Sequence, residues 1–366
     1  MQTKWRVGII FGGRTGEHEV SVASARSIIA AIDKSHYDII PIAITRDGTW
    51  LPGVAPSTLL APGEEIVDEF GTILPSEGET VSSLAAIQSQ QVALGMVDVV
   101  FPVLHGTYGE DGAVQGLLEM AGIPYVGCGI LGSALGMDKD KAKLLFQLAG
   151  LPVVPWITVT RHEVETALDE IVARTEDRFG YPVFVKPANM GSSVGVGKAH
   201  DAAELRATLL TAARYDRRIL IEESINCREI ECAVLGNDEP LASVVGEILP
   251  SNDFYDYEAK YLDGGASRLV IPADVPAEIS TSIRSMAVTA FATLDLSGLS
   301  RVDFFLERET DRIFINEVNT LPGFTEISMY PKLWEASGLS YPELLDRLVQ
   351  LALERHAERS RNETVL

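Results

Sequence analysis

Two carboxylates, an amide and an arginine stand where apolar strands need none of them. In "FINEVNTLPG" (residues 314–323) strand side chains alternate between faces, so Glu317 and Asn319 are expected on one face and Phe314, Asn316 and Val318 on the other. Upstream, "RVDFFL" sets Arg301, Asp303 and Phe305 against Val302, Phe304 and Leu306, and the polar "ERETDR" between the two segments is a hairpin turn. Folding that hairpin would bring Arg301 and Asp303 near Glu317 and Asn319. Oxygen-bearing side chains with no Cys or His among them suit a hard cation, Mg²⁺ or Mn²⁺, which keeps waters and shares its coordination with phosphate. The plainer reading is a hairpin with one face in water, and the strands alone do not choose between the two.

Other stretches carry phosphate and small-ligand chemistry. In "VKPANMGSSVGVGK", Lys186 ends a strand before a proline that cannot continue a ladder, and the small residues that follow offer backbone N–H groups able to wrap phosphate oxygens. The stretch is not a P-loop, because "GxxxxGK[ST]" is absent and a strand follows; a plain glycine hairpin is the alternative. "MDKDKAK" starts a helix with Lys139 and places Lys141 and Lys143 behind it, on what reads as a solvated face. "LIEESINCREI" ends one strand at Glu222 and Glu223 and opens the next with Glu229; Glu222 and Glu229 are candidates for ribose hydroxyls and the adenine amino group. "FGGRTGEHEVSVAS" follows a strand with Gly12 and Gly13 and sets Glu17 near a helix start, where a small ammonium or carboxylate ligand can be held. That turn lacks the third glycine of G-x-G-x-x-G, which counts against a nicotinamide-linked oxidoreductase. In "LHGTYGEDGAVQG", His105 and Gly106 follow a buried strand, the place where open α/β sheets bind ligands; a core histidine is the alternative for His105.

These residues need a scaffold of several units. At 366 residues the chain exceeds one ordinary core and should form two or three domains. It holds 30 Lys plus Arg against 52 Asp plus Glu, a net charge of -22 that repels nucleic acid and anionic membranes. Phosphate must therefore be held locally. Cys128, Cys227 and Cys232 form neither a disulfide framework nor a zinc pattern, which fits small buried side chains in a reducing cytoplasm. The N-terminus enters a strand directly with no signal-like core, and no apolar run approaches bilayer length. The opening reads as an α/β unit, residues 46–95 as an irregular insert, and "IPYVG" as a short strand. A boundary is expected near Gly136. Strands flanking the Gly- and Ser-rich loop then indicate a distinct α+β unit, and "SNDFYDYEAKYLDGGASRL" is a long loop of the kind used as a lid.

Taken in order, "FGGRTGEHEVS", "HGTYGEDGAVQG", "MDKDKAK", "VKPANMGSSVGV", "FYDYEAKY", "RVDFF" and "NEVNTLPGFTEIS" resemble the D-alanine–D-alanine ligases of the ATP-grasp superfamily, over nearly the whole chain. The resemblance implies an α/β multidomain protein: a Rossmann-like parallel-sheet domain (1–136), a central ATP-grasp domain (137–235) and a C-terminal ATP-grasp domain (236–366). It implies ATP, two Mg²⁺ (or Mn²⁺) ions and D-alanine as ligands, with a monovalent cation as a further candidate, and a cytoplasmic homodimer that binds neither nucleic acid nor membrane. Lys139 and Lys186 are similar to the ATP-phosphate lysines, Lys260 to a further γ-phosphate contact, and Ser192 and Ser193 to a phosphate-covering lid. Glu222, Ile225 and Glu229 would line purine and ribose. Asp303, Glu317 and Asn319 match the metal ligands. Glu17, Ser192 and Tyr261 match a triad that orients the first D-alanine, His105 a residue near its carboxylate, and Arg301 an oxyanion-stabilising arginine. Ser328 and the backbone at Gly323 fall where the second D-alanine is bound. Tyr261 stands where depsipeptide-forming relatives carry histidine, so dipeptide synthesis is expected rather than joining D-alanine to D-lactate. Another carboxylate–amine ligase is the nearest alternative, and a catalytically dead nucleotide-binding module is set aside because Asp303, Glu317, Lys139 and Lys186 are all present.

Overall fold

The computed structural model describes residues 4–57, 93–249, 268–325 and 327–363. Strands β1 (Trp5–Gly12), β2 (Tyr37–Ile44), β3 (Trp50–Pro52) and β4 (Val99–Val103) form one sheet in the order β3-β2-β1-β4, with β1 parallel to both β2 and β4. Val7, Ile9, Ile10 and Phe11 are all fully buried, as a central parallel strand covered on both faces requires. Gly12 ends β1 at φ +91°, and a Cβ there would lie 2.2 Å from Ile44 O; only glycine lets the chain turn off at this point toward Glu17. The helix His18–Ala31 then crosses back, burying Val22, Ala25 and Ile28. Strand β3 pairs antiparallel to β2 inside the stretch expected to be irregular. The strand expected at "IPYVG" is reduced to a single bridge between Val100 and Tyr125.

The helices Ala113–Ala121, Ile130–Met137 and Lys139–Leu148 lead into a second, antiparallel sheet of β5 (Trp156–Thr160), β6 (Val183–Pro187), β7 (Gly197–Ala199) and β8 (Arg218–Glu223), in the order β5-β8-β6-β7. Helices Leu168–Arg178 and Ala202–Ala212 cover it with Ile171, Val172, Leu205 and Leu209. The third sheet holds β9 (Cys227–Gly236), β10 (Leu241–Leu249), β11 (Arg268–Val270), β12 (Gly298–Glu307) and β13 (Ile313–Asn319), in the order β11-β10-β9-β12-β13. The sheet changes between Glu223 and Cys227. The boundary expected at 235 instead falls inside β9, which runs in an unbroken ladder against β12 from Cys227 to Gly236. A continuous ladder leaves no hinge there.

The helix Tyr341–Arg359 ties the first sheet to the third. Leu344, Leu345, Leu348 and Val349 enter the same core as Val7, Phe101 and Phe324, at roughly 2 kcal/mol for each buried side chain. Tyr37 Oη donates to Asp346 at 2.5 Å, and Arg355 Nη2 to Tyr125 O at 3.0 Å. This packing sets the loops after β1 and β4 over the turn after β13. Among the described residues no helix is long and apolar enough to cross a membrane.

Candidate active site

The hairpin β12–β13 assembles as its alternation implies. Arg301 lies across from Asn319, and Asp303 across from Glu317. Alternation fails at a bulge. The register slips beyond Asp303, so that Phe304 faces Ile315 and Asn316 is the extra residue of a bulge. Ile315 N donates outward to Pro152 O at 2.8 Å, and Asn316 turns to the cleft side beside Glu317, where its Oδ1 accepts from Lys186 Nζ at 3.2 Å. The expectation that Phe314 and Asn316 point away from Glu317 is thus corrected, since Phe314 pairs with Phe305 on the face of Asp303. Arg301 grips Asp303 with Nε and Nη2, each at 2.7 Å, and Nε also lies 3.0 Å from Glu231 Oε2. Burial disfavours the guanidinium's charge, but Asp303 and Glu231 outweigh it and raise its pKa well above the ordinary value. Asn319 Oδ1 accepts from Leu321 N at 3.1 Å and so starts the turn that follows.

Lysines approach these carboxylates from two directions. Asp138 caps the helix Lys139–Leu148 by accepting from Lys141 N at 3.1 Å, which fixes Lys139 at its first residue. Lys139 Nζ then reaches Glu317 Oε2 at 3.1 Å and donates to Met190 O at 2.8 Å. Lys186, at the end of β6, lies 2.6 Å from Glu222 Oε2. Lys143, expected on a solvated face, is 1% exposed: its Nζ lies 2.8 Å from Glu222 Oε1 and donates to Val154 O at 3.1 Å. Burial pulls the Lys143 pKa down, and the buried Glu222 carboxylate opposes that pull. Burial alone would raise the Glu222 carboxyl, but Lys143 and Lys186 hold it down at about 2. Glu222 is 2% exposed and engaged with these lysines, so it does not open onto the cleft. Glu229 and Ser193 do line the cleft, with Lys186, Asp303, Phe305 and Asn316, around a volume of about 110 Å³. Ile225 is half-buried in the loop between β8 and β9.

A second cavity, of about 140 Å³, adjoins the first through the shared walls Glu231, Arg301 and Glu317. Glu17, His105, Lys139, Ser192, Asn319, Gly323 and Ser328, drawn from distant stretches of the chain, all line it. Ser192 Oγ donates to Glu17 Oε1, joining the loop after β6 to the first helix. Gly106 and Gly191 pack closely on the Glu17 carboxylate: a Cβ would stand 2.6 Å and 3.0 Å, respectively, from its Oε2, so a side chain at either position would push it aside. His105 meets Leu321 O through Nδ1 at 3.0 Å, and burial pulls its pKa down, so the ring is neutral and Nδ1–H donates. Ser328 Oγ accepts from Thr325 N at 2.9 Å and shapes the turn behind Gly323. Glu110, which sequence reasoning missed, receives Gly106 N at 2.7 Å and Leu321 N at 3.1 Å. Burial, then the neighbouring Glu17, push its carboxyl up to about 8. Glu231 was also missed, although it shares a strand face with Glu229 two residues earlier. Tyr261 and Lys260 lie outside the described residues.

The donor set around Asp303 fits a hard divalent ion. Asp303 and Glu317 are a direct cross-strand pair of carboxylates, side-chain exposures 13% and 30%, each answered by a cation from the chain. Among the described residues no three His, Cys, Asp or Glu side chains converge as a complete metal site. The pair with Asn319 is a set of oxygen donors that would leave further coordination positions to phosphate oxygens and water, as Mg²⁺ prefers.

A parallel-sheet unit followed by two antiparallel sheets, with lysines and carboxylates converging between them, defines the ATP-grasp class of ligases. Family models described as "D-ala D-ala ligase N-terminus" and "D-ala D-ala ligase C-terminus" match residues 6–128 and 145–350. A D-alanine–D-alanine ligase from Acetivibrio thermocellus is 53% identical over 97% of this chain and 98% of its own. One from Ruminiclostridium cellulolyticum is 53% identical over 99% of each. The solved structure of the D-alanine-D-alanine ligase from Coxiella burnetii superposes with a TM-score of 0.80 at 37% identity, covering 98% of this chain and 96% of that one. The chain belongs to the D-alanine–D-alanine ligase family.

Proposed function

We infer that the chain joins two D-alanine molecules into D-alanyl-D-alanine with conversion of ATP to ADP and phosphate, the reaction that gives this family its role in peptidoglycan synthesis. The observation that carries the reading is the single cavity in which Glu17, His105, Ser192, Arg301, Gly323 and Ser328 meet, sharing its wall with the cleft of Lys186 and Asp303. Glu17 offers a negative charge to the first D-alanine's ammonium, and His105 lies near its carboxylate. One oxygen of that carboxylate attacks the γ-phosphorus in line, ADP leaves, and an acyl phosphate results. Lys139 and Lys186 neutralise charge on the phosphates. Asp303, Glu317 and Asn319 would hold two Mg²⁺ (or Mn²⁺) ions, which when bound supply further positive charge there.

The second D-alanine sits toward Ser328 and Gly323. Its amine attacks the acyl carbonyl and loses a proton, Arg301 with the Gly323 backbone stabilises the tetrahedral oxyanion, and phosphate leaves. Acyl phosphates hydrolyse readily, so the loop of Ser192 and Ser193 also serves to exclude water. Tyr261 in place of histidine favours an amine over D-lactate as second substrate. A cytoplasmic homodimer completes the reading, supported by the family resemblance and, for the compartment, by three free cysteines. Incubation with ATP, Mg²⁺ and D-alanine, with and without D-lactate, tests it by phosphate release and mass analysis of product. Dipeptide is expected; phosphate release with another amino acid and none with D-alanine would overturn it.

A further inference from the structure

Glu231 has no role in the chemistry above, yet it occupies the wall between substrate cavity and nucleotide cleft. It lies on β9 directly across from Asp303, which lies across from Glu317 on β13, so three carboxylates form a row over the sheet. Arg301 answers two of them. Its fork holds Asp303 at 2.7 Å, while Nε also lies 3.0 Å from Glu231. Both Asp303 oxygens already accept from Arg301, so a divalent ion that draws on Asp303 shares a carboxylate committed to the guanidinium and weakens its hold. A second anion then helps to fix Arg301, and Glu231, 5% exposed and on a central strand, is already in place 3.0 Å from Nε.

We propose that Glu231 is the positioning residue for Arg301: it keeps the guanidinium at the shared wall, aimed at the reacting carbonyl, while Asp303 is engaged with metal. The inference rests on the reading of Arg301 as the oxyanion-stabilising group. It also assigns Asp303 and Glu231 different duties, although the two carboxylates are neighbours on paired strands. Asp303 is shared between arginine and ion, whereas Glu231 stays with arginine throughout.

Steady-state kinetics of Glu231→Ala and Glu231→Gln, alongside binding of Mn²⁺ and ADP followed by electron paramagnetic resonance, test it. Glu231→Ala should lower kcat roughly 10- to 100-fold, the range seen when a group that orients a site residue is removed. KM for ATP and the Mn²⁺·ADP affinity should stay put. Glu231→Gln, which keeps the size and a polar oxygen near Nε without the charge, should recover part of the loss. Equal losses in kcat and Mn²⁺·ADP affinity would make Glu231 a metal donor and overturn the proposal, as would an unchanged kcat. Should Glu231→Ala fail to fold, Glu231→Gln carries the comparison: a reduced kcat at unchanged Mn²⁺·ADP affinity supports the proposal, and an unchanged kcat overturns it. Arg301→Lys in the same assays separates the two readings. If it keeps full kcat, the role of Arg301 fails; if it is crippled while both Glu231 variants are normal, only the inference about Glu231 fails.

Discussion

Lys143→Met probes the buried charge cluster beside the cleft of Lys186 and Asp303. Methionine keeps the length and apolar packing of the stem but takes from Glu222 one of its two cations, the one at 2.8 Å, leaving Lys186 at 2.6 Å. Together the lysines hold Glu222 at about 2 instead of the ordinary 4.5, although burial alone would raise it. At roughly 1.4 kcal/mol per pH unit, that depression corresponds to about 3 kcal/mol of folding free energy. Because the folded carboxyl is depressed, this stability is fully present above 4.5 and lost as pH falls through about 2. Lys186 remains in the variant, and losing Lys143 also relieves the desolvation of its own ammonium. We therefore expect a net loss of about 2 kcal/mol at pH 7, below the roughly 3–5 kcal/mol usual for a broken buried pair because burial already pulls the Lys143 pKa down. Urea unfolding reads it, with Trp156 as a local reporter because its ring lies 5.4 Å from Lys143 Nζ. The deficit should narrow below pH 4.5 as Glu222 protonates, and adding Glu222→Gln should recover part of it. A loss under about 0.5 kcal/mol at pH 7, the size of an ordinary surface change, would refute the reasoning. So would a double variant no better than the sum of the single ones.

Glu317→Gln and Asp303→Asn should each cut turnover by on the order of 10²- to 10³-fold while leaving the circular dichroism spectrum unchanged; undiminished rates would remove these residues from the metal site. Ser192→Ala deprives Glu17 of a donor worth about 1.5–3 kcal/mol, so the KM of the first D-alanine should rise about tenfold or more, with a smaller change for ATP. An effect confined to ATP would make Ser192 part of the phosphate lid alone. Glu110, raised to about 8, contributes stability that is full below 4.5 and lost as pH climbs through about 8. The melting temperature should thus fall between pH 5 and 9 less steeply in Glu110→Gln than in the parent, and equal slopes would count against a neutral Glu110.

The residues readable from sequence were those whose spacing speaks of one strand or one loop. Arg301, Asp303, Glu317 and Asn319 converge because strand alternation is a local rule. Asn316 escaped it, since the bulge that turns it is fixed by Ile315 bonding to Pro152, a partner the strand's own pattern does not announce. Lys143 was misread for a similar reason. Helical spacing shows which face carries charge, but the decision to bury an ammonium belongs to Glu222, on a strand of another unit. Glu110 and Glu231 act through tertiary and cross-strand neighbours, and no motif weighed for chemistry includes either in a role. The unit boundary near residue 235 misled because a run of apolar strands looks alike on either side of a sheet change, whereas hydrogen bonding places that change after Glu223.

The Leu321 peptide is held at both ends, its N–H by Glu110 and its carbonyl by His105, and Phe324 N donates to Ser24 Oγ at 3.1 Å. The C-terminal turn that lines the cavity of Gly323 and Ser328 is thus fastened by residues from the opening third of the chain. A chimaera exchanging that third with a relative would import the fastenings of a turn it does not encode. Differences in acceptor choice between such hybrids should then be sought as much in the donor of the first segment as in the owner of the turn.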